Sequence, residues 1–290
     1  MKAFKLLIAT LVVAFSTTAI AQEKSITVKG SDTMVILGQR WAEIYMKNNK
    51  GITIQVTGGG SGTGIAALIN KTTDLANSSR PVKDKEKEQI EKEGGKLIEI
   101  PVALDGITIY VNSANPLKEI DMETLKDIFT GKISNWSELG WENKTIKIYS
   151  RENNSGTYMY FKEHVLNNEE FSVYAQHMPG TASVLNAVKK DKYGIGYGGI
   201  GYLKGAKALN VSKKKGSEAF APSMENVLKG TYPISRYLFI YLTQDTLNRP
   251  EVKKYISWIL SKDGQKIVEE VGFYPLPKKE LDKIRKSLGL

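Results

Sequence analysis

The sequence predicts an α/β fold of two domains, the first discontinuous, on three observations. Two strand, glycine-rich loop and helix units follow one another: residues 25–29 lead into Gly30-Ser31-Asp32-Thr33-Met34, and residues 52–56 lead into residues 58–64, a Gly-Ser-Thr run. Such succession implies a mainly parallel sheet with ligand loops at the carboxyl ends of its strands. Long apolar strand patterns at residues 100–111 and 234–242 then bracket a middle segment, as a chain that leaves one domain and returns to it requires.

The elements follow in order. Lys2 and Lys5 precede an apolar run, residues 6–15, that is too short to span a bilayer. Ala19-Ile20-Ala21 then gives a small-x-small cleavage pattern, so residues 1–21 are expected to be a cleavable signal peptide. A periplasmic protein is the expectation. The 290 residues include no cysteine, which excludes disulfides, thiol catalysis and thiolate metal sites and leaves no lipid-anchor cysteine to expect. The formal charge of +10 includes Lys2 and Lys5, so the exported chain carries +10 − 2 = +8. Its lysines are scattered, which with export argues against nucleic acid and for a basic surface that gathers anions.

Val35, Leu37, Trp41, Ile44 and Tyr45 have helical spacing, closed by Gly51 before the second strand, and a short helix is expected at residues 65–69. Residues 73–77 read as a buried strand ended by Ser78-Ser79-Arg80-Pro81, and the charged run 83–92 as a solvated helix face. After Pro116 come a helix near residues 122–129, a loop with Trp136 and Trp141, a strand at residues 146–149 and a helix carrying Tyr158, Phe161 and Val165. An amphipathic helix at residues 252–260 and a basic tail close the chain. The expected division is domain I at residues 22–107 and 236–290, domain II at residues 108–235, with the two long strands as hinge.

The segment from Ser150 to Tyr158 reads as a pocket for a tetrahedral oxyanion. Its Ser155-Gly156-Thr157 falls at a helix start, where amides lack intrahelical partners and the macrodipole is positive. Arg151, four residues earlier, supplies a fork for two oxygens. An ordinary helix cap beside a surface arginine is the alternative. Three such loops, from both domains, make a cleft that encloses an anion from two sides.

Other chemistries fit less well. Gly64 is followed by Ile65 rather than the Lys-Ser or Lys-Thr of a nucleotide-binding P-loop. Dinucleotide-like matches at Gly62 to Ala67 and Gly194 to Gly199 lack the acidic partner and the helix start respectively, and the second reads as a tight strand end packed at the cleft. His164 and His177 read as structural or exposed, and no metal-ligand spacing occurs. No cofactor, metal or catalytic residue is expected.

On Gly30-Ser31-Asp32-Thr33-Met34, Gly60-Ser61-Gly62, Ser78-Ser79-Arg80-Pro81 and Arg151 through Thr157, the chain resembles the periplasmic phosphate-binding proteins of ABC importers, the PstS type, over about residues 26–277. The resemblance implies a type II, Venus-flytrap periplasmic binding protein that holds dehydrated phosphate between its domains and delivers it, as a monomer, to a membrane permease with its ATPase. Carried over, Thr33 gives its hydroxyl, Met34 its amide, Ser61 its hydroxyl and Arg151 the charged fork, while Ser155, Gly156 and Thr157 give helix-start amides and two hydroxyls. Ser79 stands where many members have an Asp that accepts the proton of hydrogen phosphate. A carboxylate there repels sulfate, so its loss opens sulfate or arsenate as alternative ligands. Asn153 stands where members often have an Asp that pairs with the arginine, leaving Glu152 as substitute or Arg151 without that partner. A third reading is an exported phosphoryl-transfer or hydrolytic enzyme with Ser61 or Ser155 as nucleophile.

Overall fold

The computed structural model describes residues 24–290, so the expected signal peptide lies outside the described residues. The chain opens with β1 (Lys24–Gly30), a single 3-10 turn at Asp32–Met34 and α1 (Val35–Asn48), then β2 (Ile52–Gly59), α2 (Ser61–Ile69), β3 (Leu75–Ser78), α3 (Asp84–Gly94) and β4 (Leu97–Val111). β1 pairs in parallel with β2 on one side and β3 on the other, so the first two crossovers each carry a helix. Leu37, Trp41 and Tyr45 are all buried, the one-sided face their four-residue spacing dictates.

The expected start of α2 at residue 65 was four residues late. The helix begins at Ser61, and Gly62 and Gly64 lie in its first turn. Gly64 is needed there by contact rather than by loop geometry: a Cβ on it would sit 2.5 Å from the Lys29 carbonyl oxygen and 2.6 Å from Gly30 Cα. A glycine run that looks like loop is thus a helix laid directly on a strand.

The middle of the chain supplies β5 (Glu119–Asp121), α4 (Met122–Thr130), β6 (Lys147–Arg151), α5 (Gly156–His164), β7 (Gln176–Met178), α6 (Thr181–Lys190), β8 (Gly194–Gly199), β9 (Lys207–Ser212), β10 (Ala219–Phe220) and α7 (Met224–Leu228). The return is β11 (Ser235–Thr243), followed by α8 (Gln244–Asn248), α9 (Pro250–Ile259), α10 (Lys262–Val271) and α11 (Lys278–Ser287). The segment expected to be a basic tail is therefore helical, with Leu281, Ile284 and Leu288 packed on the core.

Strand order β2-β1-β3-β11-β4-β8-β6-β7 makes one mixed sheet. β4 changes partners along its length: Leu97 to Gly106 runs antiparallel to β11, and Ile107 to Val111 runs antiparallel to β8. The change falls at Gly106, one residue from the expected division at 107. Each half has an apolar core, one around Leu37, Trp41, Ile100, Ile256 and Val268, the other around Ile109, Phe129, Trp136, Phe161 and Tyr197. The parallel strands β1, β2 and β3 in one half and β6 in the other bring their carboxyl ends together across the sheet.

Candidate anion-binding site

Each of those carboxyl ends delivers predicted site residues. β1 runs into Thr33 and Met34, β2 into Ser61, β3 into Ser79, and β6 ends at Arg151 with Ser155, Gly156 and Thr157 opening α5. All eight are buried, and Arg151 is 1% exposed. Positive φ at Gly60 (88°) swings the chain from β2 into α2 and places Ser61 at the first helical position.

Capping and anion geometry meet in one residue. Ser155 Oγ accepts from the Thr157 and Tyr158 amides at 3.1 and 3.3 Å, so it caps α5 and its own proton is left for another acceptor. The Gly156 amide is the first of α5 and has no carbonyl one turn earlier in the helix. A Cβ on Gly156 would lie 2.3 Å from Ser61 Oγ and 2.8 Å from Ser79 Oγ, so the two halves touch at a bare backbone. The Met34 amide, the contact implied by resemblance, donates to the Ser31 carbonyl at 3.0 Å, and a ligand there has to share it.

The halves are closed on each other. Thr33 Oγ1 lies 2.9 Å from Thr157 Oγ1, the Gly62 amide donates to the Asn154 carbonyl at 3.0 Å, and Asn154 Nδ2 donates to the Gly59 carbonyl at 3.1 Å. Arg151 Nη2 donates to Asp32 Oδ2 at 2.6 Å, so its carboxylate partner comes from the opposite half rather than from Glu152. Burial pulls the Arg151 pKa below its ordinary value, and the Asp32 charge acts in the opposite direction. Arg151 Nε is buried with no partner among the described residues.

Four residues of this cluster were not singled out from sequence. Asp32 is one. Thr181, at the start of α6, accepts from Arg151 Nη1 at 2.8 Å. Asp105 on β4 and Arg236 on β11 form a buried pair: Arg236 Nε and Nη2 reach Asp105 Oδ2 at 3.0 and 2.9 Å, and Asp105 Oδ1 accepts the Ile200 amide at 3.0 Å. Arg236 also donates from Nη1 to the Ser79 carbonyl at 2.8 Å and from Nη2 to Thr157 Oγ1 at 3.0 Å, linking site residues of both halves. A signal for this pair was visible. Asp105 is the one charged residue in the apolar run 100–111 and Arg236 the one in the run 234–242, and charges inside such strands are stable when paired.

The other candidates fall elsewhere. Arg80 is buried and forks onto Glu86, His164 stacks on Tyr160 with ring centroids 3.9 Å apart, and His177 Nδ1 lies 2.9 Å from the Arg151 carbonyl oxygen. Gly199 at the end of β8 packs between Thr33 and Asp105, where a Cβ would be 2.8 Å from Thr33 Cγ2, so the glycine-rich β8 is a tight strand end at the cleft. Among the described residues no group of three or more His, Cys, Asp or Glu is arranged to hold a metal ion.

Comparison with known proteins agrees with this architecture. The PBP superfamily domain matches residues 16–263. The phosphate-binding protein PstS of Pseudomonas aeruginosa is 36% identical over 278 residues, 90% of this chain and 86% of its own length. The chain belongs to the PstS-type phosphate-binding proteins. Protein SphX of Synechococcus elongatus is a further relative of the family, 36% identical over 90% of this chain and 80% of its own. Among solved structures, a phosphate ABC transporter substrate-binding protein from Clostridium perfringens with bound phosphate superposes with a TM-score of 0.80 at 29% identity, covering 88% of this chain and all of that one. An ABC-type phosphate transport receptor from Vibrio cholerae gives 0.69 at 28% identity, over 87% of this chain and 100% of its own. The family's two-domain fold, with a discontinuous first domain and two hinge strands, is the fold expected from sequence.

Proposed function

We propose that the protein is an extracytoplasmic receptor that closes on inorganic phosphate in this cleft and delivers it, as a monomer, to the membrane permease and ATPase of an ABC importer. Its observation is the buried convergence of hydroxyls, a helix start and the Arg151 guanidinium from two halves of the chain. Thr33, Ser61, Ser79, Ser155 and Thr157 contribute hydroxyls, Met34, Gly156 and Thr157 amides, and Arg151 charge. No bond is made or broken. Affinity comes from replacing the anion's water with many fixed, charge-assisted donors, and β4 and β11 act as the hinge between domain I (residues 22–107 and 236–290) and domain II (residues 108–235). The names of the relatives support phosphate as ligand and an ABC importer as destination.

Ser79 favours a second reading, a receptor for another tetrahedral oxyanion such as sulfate or arsenate. Calorimetric titration of ligand-free protein with phosphate and with sulfate, at two pH values, separates them, and tighter sulfate binding overturns the phosphate assignment. An enzymatic reading has less support. Ser155 Oγ is committed to capping α5, Ser61 Oγ neighbours Ser79 Oγ at 3.3 Å, and neither histidine bonds to them among the described residues. Turnover of a phosphomonoester that disappears in Ser155→Ala would restore it.

A further inference from the structure

A tyrosine from the middle of the chain holds the turn that carries Asp32, Thr33 and Met34. Tyr202 ends the 3-10 turn Ile200–Tyr202 that follows β8, is buried, and donates from its hydroxyl to the Asp32 carbonyl at 2.5 Å. The same carbonyl accepts the Val35 amide, and the Ile36 amide, next in α1, is a donor toward the Tyr202 oxygen. Helix-start amides have no partner within their own helix, and Met34, which precedes α1, supplies no side-chain cap. Tyr202 therefore does for α1, from the other half of the chain, what a capping side chain usually does locally. Burial first, and then the Asp32 charge, push its pKa above the ordinary value, so the hydroxyl keeps the proton it donates.

The turn behind Tyr202 is firmly held. Asp105 Oδ1, on β4, accepts the Ile200 amide at 3.0 Å, the Leu203 amide closes the turn onto the Ile200 carbonyl at 2.9 Å, and Gly201 lies against the Phe273 ring, where a Cβ would be 2.7 Å away. A second tyrosine makes the reverse crossing. Tyr274, in the segment after α10, exchanges backbone bonds with Leu104 at 2.8 and 3.0 Å, donates to the Pro222 carbonyl and belongs to the apolar cluster of Ile109 and Phe129. The two crossings differ in place. Leu104 is two residues from Gly106, where β4 changes partners, so Tyr274 sits at the hinge and its bonds change little in length as the halves part. Asp32 lies at the cleft, so the Tyr202 bond spans the gap that opens.

We propose that Tyr202 is a positioning residue for the anion site: bonded to the Asp32 carbonyl only in the closed protein, it sets the Asp32–Met34 turn so that Asp32 meets Arg151 and Thr33 faces the cleft, and it slows reopening. This rests on the phosphate reading and names a residue, outside the set of anion contacts, that governs how long the ligand stays. Asp32 is then gripped from the opposite half at two points, the carboxylate by Arg151 and the carbonyl by Tyr202. Tyr274 stays bonded in both states, as a third crossing beside β4 and β11.

The experiment follows release of radiolabelled phosphate from the whole protein into an excess of unlabelled phosphate, in wild type and in Tyr202→Phe, which removes the hydroxyl and keeps the ring. Release is expected to be about two- to tenfold faster, the effect of one neutral hydrogen bond, with association unchanged within about twofold. Wild-type release, with or without a lower melting temperature, overturns the proposal and leaves the function standing, because a tyrosine with only a folding role changes melting and not release. Hydrogen exchange on the wild-type protein tests the same point without a variant. Adding phosphate should protect the Ile36 amide and leave the Leu104 and Tyr274 amides unchanged, whereas no added protection at Ile36, or an equal gain at all three, overturns the proposal. A wild-type protein that binds no phosphate overturns both readings. Should Tyr202→Phe fail to fold, the exchange measurement decides alone.

Discussion

Arg151 and Asp32 form an ion pair across the cleft, Nη2 to Oδ2 at 2.6 Å, between a strand end of one half and the 3-10 turn of the other. The arginine proposed to grip the anion therefore also bridges the two halves of the chain. Asp32 is held in turn by the Gly59 amide, which donates to Oδ1 at 2.7 Å, so the carboxylate cannot swing away to follow a retreating guanidinium.

Asp32→Asn is expected to weaken closure of the ligand-free protein. A nearly fully buried guanidinium stripped of its countercharge costs about 3–5 kcal/mol, and opening the cleft relieves that cost by giving Arg151 to water. Small-angle scattering without ligand should show a larger radius of gyration than wild type, and the difference should vanish at saturating phosphate. Identical ligand-free scattering would count against the pair as a closure contact.

Arg151→Ala should remove most phosphate binding. Desolvated oxyanion charge without its countercharge loses about 3–5 kcal/mol, on the order of a hundred- to several-thousandfold in affinity. Calorimetry on the purified variant measures this, and unchanged affinity would sink the site assignment.

Gly156→Ala should separate stability from binding. Alanine is intrinsically the better helix residue, yet its Cβ would meet Ser61 Oγ at 2.3 Å and Ser61 Cβ at 2.9 Å, and these belong to the opposite half. We expect a ligand-free melting temperature at or above wild type and a phosphate affinity at least about a hundredfold lower, because closure is blocked. Retained affinity would mean that the halves do not close along this line.

Ser79→Asp should sharpen the choice of anion. A carboxylate beside Ser61 Oγ accepts the proton of hydrogen phosphate and repels the fully ionised sulfate, so the phosphate-to-sulfate preference should rise at least about tenfold over wild type. Competition titration gives the ratio, and a fall in it would contradict the role given to position 79.

Glu86→Gln should change the acid limb of stability. Burial pushes the Glu86 pKa up, but hydrogen bonds from Arg80 and the Lys83 amide together with the Arg80 charge outweigh it and hold the pKa below its ordinary value. A carboxyl depressed in the folded state binds its proton more readily when unfolded. Its stabilisation is complete above the unfolded value of about 4.3 and is lost as pH falls through the lower folded value. The variant should therefore melt below wild type at about pH 7, and the difference should shrink as pH falls below about 4, as thermal melts can record.

Most of the fold was legible because its signals are local. Leu37, Trp41 and Tyr45 declare one helical face, the runs 100–111 and 234–242 declare buried strands, and Ser155-Gly156-Thr157 behind a strand declares a helix start with donors exposed. Boundaries were less legible where glycine serves two purposes. Gly62 and Gly64 looked like loop and proved to be the first turn of α2, because Gly64 answers the closeness of β1 and Gly62 that of Asn154, neighbours far away in sequence.

The sequence by itself determined an α/β chain with donor-rich loops after successive strands and one arginine poised beside a helix start, since backbone hydrogen bonding and side-chain periodicity act over a few residues. Only the tertiary structure decided which charges meet. Asp32 reaches Arg151 over 119 residues, Asp105 reaches Arg236 over 131, and Arg236 reaches Thr157 over 79. A buried charge announces that it needs a partner and does not say where the partner lies, because pairing is settled by how sheet order and strand direction bring distant chain ends together. The doubt over Asn153 was of this kind: the sequence offers Glu152, one residue from the arginine, or no carboxylate partner, and the fold supplies Asp32 from across the cleft.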